Sequence, residues 1–131
     1  MAREFHRADR VADAMRRELA QLIQQEVRDP RLGMVNINDV EVSRDLTTAK
    51  VFVTFVGEDD RNKINISMEV LNKAAGFLRS QLARAIQIRT IPRLHFRYDE
   101  TSVRGQELSA LIDKAVRADR KHQDDSDSDE D

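Results

Sequence analysis

The strongest constraint on the fold of this chain is a helical stripe of apolar side chains in its second half. The stripe advances by three or four residues without interruption: Ile64, Met68, Leu71, Ala75, Leu78, Leu82 and Ala85. This period is typical of one face of an α-helix, so these positions predict a long helix with its apolar side turned toward a core. The rest of the chain must therefore supply an apolar surface for that helix to cover.

A second stripe predicts a helix near the N-terminus, between Ala8 and Arg28. Its members are Val11, Met15, Leu19, Leu22, Ile23 and Val27. Pro30 ends this helix, because the residue before a proline disfavours the helical conformation.

The segments between and after the two helices have the patterns of β-strands. The first alternates in polarity through Val35, Ile37, Val40 and Val42, with a change of phase at residues 38–39 that indicates a β-bulge. The second, residues 49–56, is almost continuously apolar and is predicted to be a central strand. The third alternates Leu94, Phe96 and Tyr98 with Arg93, His95 and Arg97.

A final amphipathic turn or two is predicted around Leu108, Leu111, Ile112 and Ala115. The order is then helix, strand, strand, long helix, strand, short helix. A hairpin followed by a helical crossover predicts a mixed three-stranded sheet with helices on one face, an α+β fold of the two-layer sandwich kind.

Composition indicates one folded domain over residues 1–120 and a disordered acidic tail over residues 121–131. Six of the 24 acids lie in the last eight residues, so residues 1–123 hold 22 bases against 18 acids, a net charge of +4. There is no cysteine, no apolar signal region at the start and no apolar run of about 20 residues that spans a bilayer. We expect a cytoplasmic monomer with no membrane partner.

Charge along the chain points to a polyanion as the partner. No acid occurs between Glu69 and Asp99, a window that carries Lys73, Arg79, Arg84, Arg89, Arg93 and Arg97. A surface of one sign, interrupted by the small residues Ala74, Ala75 and Gly76, is suited to holding RNA or DNA.

Catalytic patterns are missing from the sequence. His6, His95 and His122 lack metal-ligand spacing, and no phosphate-cradling glycine loop or nucleophile elbow occurs. We therefore predict no enzyme activity, no catalytic residue, no metal and no cofactor.

Four segments in order resemble the ribosome-binding factor A family. They are residues 29–33 (Asp-Pro-Arg-Leu-Gly), 42–51 (Val-Ser-Arg-Asp-Leu-Thr-Thr-Ala-Lys-Val), 74–79 (Ala-Ala-Gly-Phe-Leu-Arg) and 89–96 (Arg-Thr-Ile-Pro-Arg-Leu-His-Phe). The resemblance covers residues 3–112. It implies a type II K homology fold in which an interhelical kink at residues 74–76 replaces the usual Gly-x-x-Gly loop. It also implies a bacterial factor that binds the immature small ribosomal subunit and its rRNA, supports late maturation and growth in the cold, and is released by a guanosine triphosphatase.

An RNA site is expected around that kink. A bend at Gly76 would expose backbone N–H groups at the start of the following helical half, where a phosphate is favoured. The candidate RNA-binding residues are Lys73, Ala74, Ala75, Gly76, Arg79, Ser80, Arg84 and Arg89, with Arg10 and Arg17 of the first helix.

Several alternatives stay open at this point. Gly76 is also explained by close packing of two elements, the basic residues by a solvated surface, and Arg93, His95 and Arg97 by the outward side of a strand. Phe77 is either a contact residue or turned inward by the bend, while Phe52 and Phe55 are expected in the core. A protein-docking adaptor without RNA affinity is the alternative function.

Overall fold

The computed structural model describes the backbone of residues 2–129 and the side chains of residues 7–121. The elements are α1 (Ala2–Glu26), β1 (Val35–Val42), β2 (Thr48–Phe55), α2 (Arg61–Lys73), α3 (Ala75–Ala85), β3 (Arg93–Tyr98) and α4 (Glu100–Asp129). The predicted order is confirmed, except that the long helix consists of two helices, α2 and α3. By their contacts the residues form two units, 1–99 and 100–131. The predicted domain limits, 1–120 and 121–131, stay a prediction.

The sheet has the order β1-β2-β3. β1 and β2 are antiparallel, β2 and β3 are parallel, and the register shifts between Ile37 and Asp39. The mixed sheet and the β-bulge predicted at residues 38–39 are therefore confirmed. Because α2 and α3 connect the two parallel strands, the architecture is a two-layer α+β fold.

The core of the first unit lies between one face of the sheet and α1 to α3. Its fully buried members are Met15, Leu19, Ala49, Val51, Val53, Leu71, Leu78 and Leu82. Two sequence predictions about the core are wrong. Ala85, at the end of α3, is exposed, and Phe52 is half-buried on the opposite face of the sheet from Val51 and Val53. A strand alternates its side chains between faces, so a continuous apolar run does not place every member in one core.

The loop between α1 and β1 is tied to α2. The Arg31 guanidinium binds the Asp29 carboxylate at 2.8 Å, and the Arg31 N–H donates to the same side chain at 2.9 Å. The buried Ser67 hydroxyl donates to the Arg31 carbonyl and accepts from the Gly33 N–H, both at 3.2 Å. These bonds satisfy the backbone of a loop that has no strand partner of its own.

The α4 helix differs most from the sequence prediction. It has 30 residues instead of a turn or two, and its apolar side chains Leu108, Leu111, Ile112 and Val116 are exposed. The helical backbone continues to Asp129, into the segment predicted to be disordered. The side chains after Lys121 lie outside the described residues, so the disorder of the acidic tail stays a prediction.

Candidate nucleic-acid interface

The predicted long helix is interrupted at Ala74, between α2 and α3. This residue ends α2 and begins α3 with φ −82° and ψ −4°, a right-handed conformation that needs no glycine. Its N–H donates to the Val70 carbonyl at 3.1 Å and its carbonyl accepts from the Leu78 N–H at 2.9 Å. The break lies within residues 74–76, where the family resemblance implied the kink, although at Ala74 and not at Gly76 itself. The break itself is confirmed.

Gly76 lies in the first turn of α3 and faces open space. A Cβ built on it has no heavy atom of the described chain within 4 Å, and its φ is not positive. Nothing in the described residues therefore requires glycine here, and the interpretation as a packing glycine is wrong. Neither a packing contact nor a positive φ therefore accounts for the glycine at residue 76.

No side chain caps the backbone N–H groups in the first turn of α3. Ala74 provides no side-chain acceptor, and the first turn contains no acidic residue. The first N–H groups of a helix have no intrahelical partner and carry the positive end of the helix dipole. No side-chain cap therefore satisfies the N–H groups of this turn.

Gly76, Ser80 and Arg84 follow one another at intervals of four and share one side of α3. All three are exposed, and the Ser80 hydroxyl donates back to the Gly76 carbonyl at 3.2 Å. Phe77, next to this row, is 47% exposed. The alternative that the bend turns Phe77 inward is therefore wrong.

Arg79 has a structural role that the sequence did not reveal. Its Nε donates to the Ile91 carbonyl at 3.0 Å and so fixes α3 to the segment before β3. Arg79, Ser80 and Arg89 line one open depression of about 350 Å³, so this bond also brings Arg89 next to the outer side of α3.

The remaining cations of this surface are not neutralised by the described part of the chain. Lys73, Arg84 and Arg89 are exposed, and none forms an ion pair with a carboxylate of residues 7–121. Lys73 acts on one carboxylate from a distance: the pKa of Asp29 is lowered to about 2, mainly by the hydrogen bond from the Arg31 side chain, with Lys73 a minor cause. We name Lys73, Ala74, Ala75, Gly76, Ser80, Arg84 and Arg89 the α2–α3 surface.

Arg10 and Arg17 lie on α1 and are not members of the α2–α3 surface as defined. Both are exposed on α1, on the side away from its buried residues Met15 and Leu19. α1 packs against β1 and α3. Eight of the ten predicted residues thus lie in α2, in α3 and in the segments that follow them, and the other two lie on α1.

Asn72 is a positioning residue that the sequence analysis missed. Its amide accepts from the Phe96 N–H at 3.0 Å and donates to the Phe96 carbonyl at 3.3 Å. The side chain thus pairs with β3 as a neighbouring strand would, two residues before the helix break. An exposed asparagine off the apolar stripe gives no sequence signal for this contact.

None of the described helices has a stretch long and apolar enough for a bilayer. Within the described residues no three histidine, cysteine or acidic side chains come together as metal ligands would.

Relatives of known family match the chain along almost its whole length. The family model of ribosome-binding factor A matches residues 7–112. A ribosome-binding factor A of Teredinibacter turnerae is 60% identical over 131 residues, with 99% of each chain covered. One of Cellvibrio japonicus is 63% identical over 122 residues, covering 93% of this chain and 90% of the relative.

Solved structures match the fold. The crystal structure of ribosome-binding factor A from Thermus thermophilus has a TM-score of 0.60 and 28% identity, covering 70% of this chain and 93% of that one. A homology model of the Thermus thermophilus factor, fitted into a cryo-EM map of its 30S complex, has a TM-score of 0.54 and 31% identity, covering 67% and 90%. These matches confirm the predicted K homology-like α+β fold. Together with the family model, they show that the chain belongs to the ribosome-binding factor A family.

Proposed function

We propose that this chain binds the immature small ribosomal subunit through its rRNA and supports late rRNA processing and subunit maturation, including maturation in the cold. It does so by binding, without catalysis, as a cytoplasmic monomer. An assembly guanosine triphosphatase releases it. The match to a relative fitted into a 30S complex supports the choice of partner.

One observation carries the RNA part of this proposal: Gly76 has open space where a Cβ would be, in a helical turn with uncapped donors. A phosphate approaches such a turn more closely than a turn covered by a side chain. Lys73 precedes the turn and Arg84 follows Gly76 by eight residues, or about 12 Å along the helix. The two cations thus lie on either side of the anion-binding turn.

Phosphate contacts of this kind position an RNA without reading its bases. Selectivity for immature subunits then comes from the shape of the folded rRNA. The factor shifts the rRNA toward one conformation to the extent that it binds that conformation more tightly than the other.

The test is co-sedimentation of the Lys73→Glu/Arg84→Glu variant with small subunits from cold-grown cells. We expect the wild type in the subunit fraction and the variant mostly free. The matched control is Lys114→Glu/Arg117→Glu on α4, which makes the same change in net charge at exposed positions. Recovery of the α2–α3 variant equal to that of the wild type would place the binding surface elsewhere.

Binding to naked rRNA at several salt concentrations distinguishes direct RNA contact from a protein adaptor. Counterion release predicts a log–log slope near −0.7 for each neutralised phosphate on single strands. Loss of Lys73 and Arg84 should make the slope shallower by about 1.4.

A protein-docking adaptor is the second candidate function, and one feature favours it. Met34 is 72% exposed and Val56 is 62% exposed, and Met34 lines a cavity of about 470 Å³ with Ile23, Val27 and Leu32. Exposed apolar side chains beside a cavity are typical of protein contacts. Small-subunit binding without measurable affinity for naked rRNA would favour this adaptor.

A further inference from the structure

The face of the sheet opposite the core carries an ordered array of polar and aromatic side chains. In the register of the strands, Lys50 of β2 lies between Glu41 of β1 and His95 of β3. In the next row Phe52 lies between Asp39 and Arg97, and Arg93 lies beside Thr48. We name Lys50, Phe52, Arg93, His95 and Arg97 the open-sheet surface.

The acidic and the basic side chains of this face lie on different strands. The two acids, Asp39 and Glu41, are on β1, whereas β3 presents Arg93, His95 and Arg97, all exposed. Successive side chains on one face of a strand are about 6.6 Å apart, so Arg93 and Arg97 are about 13 Å apart. None of Lys50, Arg93 and Arg97 forms an ion pair with a carboxylate among the described side chains.

Phe52 is the aromatic member of this surface. Its neighbours in sequence, Val51 and Val53, are buried on the core side, which leaves the Phe52 ring half-buried on the other. It lies beside Lys50 along the face and beside Arg97 across it. An aromatic ring between cations is the arrangement that holds single-stranded nucleic acid, since a base stacks on the ring while the cations neutralise its phosphates.

Cations on an edge strand such as β3 ordinarily protect that strand from pairing with another chain. Here the outer backbone of β3 is already engaged at Phe96, whose N–H and carbonyl both bond to the Asn72 amide. Arg93, His95 and Arg97 also point out of the sheet plane instead of along its edge, and edge protection gives no reason for the aromatic ring on β2. The array is better explained by a ligand.

We propose that the open-sheet surface binds a single-stranded segment of RNA, with a base stacked on Phe52 and phosphates on Lys50, Arg93 and Arg97. This surface is separate from the α2–α3 surface and contains none of its residues. It adds a second RNA contact to the proposed function and does not depend on the helix break.

The experiment uses the absence of tryptophan from the chain. The full chain with Phe52→Trp carries a single indole on the open-sheet surface, and the full chain with Phe77→Trp carries one on α3 as the matched control. Each is titrated with a short oligouridylate, and tryptophan fluorescence is measured at low and at higher salt. We expect quenching of the indole at residue 52, weakened by salt and by adding Lys50→Gln/Arg97→Gln.

The outcomes separate the two surfaces. An unchanged signal at residue 52 overturns the proposal, whether or not the indole at residue 77 responds; a response at residue 77 alone leaves the α2–α3 proposal standing. Equal quenching at residue 52 by polyglutamate and by oligouridylate overturns it in favour of an acidic protein segment.

A second measurement does not depend on the tryptophan variant folding. Polarisation of a labelled oligouridylate compares the wild type with Phe52→Leu, whose fold is checked by circular dichroism. Loss of one stacking contact predicts that the affinity falls by about 5- to 140-fold. Unaltered affinity of a folded Phe52→Leu protein would also overturn the proposal.

Discussion

Two helices of this protein carry the same apolar spacing and have opposite surroundings. Leu78 and Leu82 of α3 are fully buried, whereas Leu108 and Leu111 of α4 are 59% and 64% exposed. α3 faces β3 and α1 across the core of residues 1–99, and α4 belongs to the other unit. The comparison shows that an apolar period identifies the side of a helix that can be buried, while burial itself is decided by the rest of the fold.

The difference also indicates where folding free energy is gained. A buried leucine in α3 contributes both removal from water and close packing. An exposed leucine in α4 contributes little of either, so α4 depends on its backbone hydrogen bonds and helix propensity. Residues 1–99 should therefore unfold cooperatively, with α4 a minor contributor.

The largest expected effect tests this contrast directly. Leu78→Ala should lower the free energy of unfolding by about 2–5 kcal/mol, because it removes contacts and leaves a cavity. Leu108→Ala should change it by less than about 0.5 kcal/mol, as surface substitutions do. Urea unfolding followed by circular dichroism measures both. Comparable losses would show that α4 is part of the folding core.

An intermediate effect on the free energy of unfolding is expected for a change at Asn72. This residue extends the comparison of buried and exposed helix positions to a side chain that is polar and exposed. Asn72→Ala leaves the Phe96 N–H and carbonyl without their partner and should cost about 1–3 kcal/mol. Asn65→Ala on the same helix is the matched control, since that exposed side chain forms no hydrogen bond within the described residues. The same urea experiment applies. Equal stability of the two variants would mean that water replaces the Asn72 amide without loss.

The smallest effect concerns two glycines, one in each unit. Neither Gly76 in α3 nor Gly105 in α4 has a heavy atom of the described chain within 4 Å of a built Cβ. Gly76→Ala should raise the unfolding free energy by up to about 1 kcal/mol, whereas Gly105→Ala should raise helix content without moving the unfolding midpoint.

The Gly76→Ala and Gly105→Ala variants should also differ in RNA affinity. For Gly76→Ala we expect a loss of affinity, in contrast to its expected gain in stability. The added methyl group at residue 76 should weaken rRNA binding, and that at residue 105 should leave it unchanged. Filter binding at one salt concentration measures this. A Gly76→Ala protein that is less stable than the wild type, or that binds rRNA equally well, would remove the functional explanation of this glycine.

Much of the fold was predictable because its signals are local. The phase change at residues 38–39 predicted the bulge between Ile37 and Asp39, and the alternation of β3 predicted which of its side chains are exposed. The composition of α2 and α3 predicted a basic surface next to small residues. The predicted RNA-binding residues themselves stay a prediction.

Other features were not predictable because they depend on pairs far apart in the chain. The role of Asn72 depends on Phe96, 24 residues later, to which its amide is bound. The position of Phe52 on the open face follows from strand registers on both its sides. Arg79 looked like an RNA ligand by charge, yet its Nε is bound to Ile91, 12 residues away.

By itself, the sequence determined the order of the elements, the apolar side of each and the concentration of cations between Glu69 and Asp99. These properties are set by spacing and composition, which act over a few residues. The tertiary structure alone decided which residue within 74–76 interrupts the long helix, which side of β2 faces the core, which cations of the described residues form no ion pair and which apolar helix face is buried. Each of these depends on contacts that exist only after distant segments have packed together.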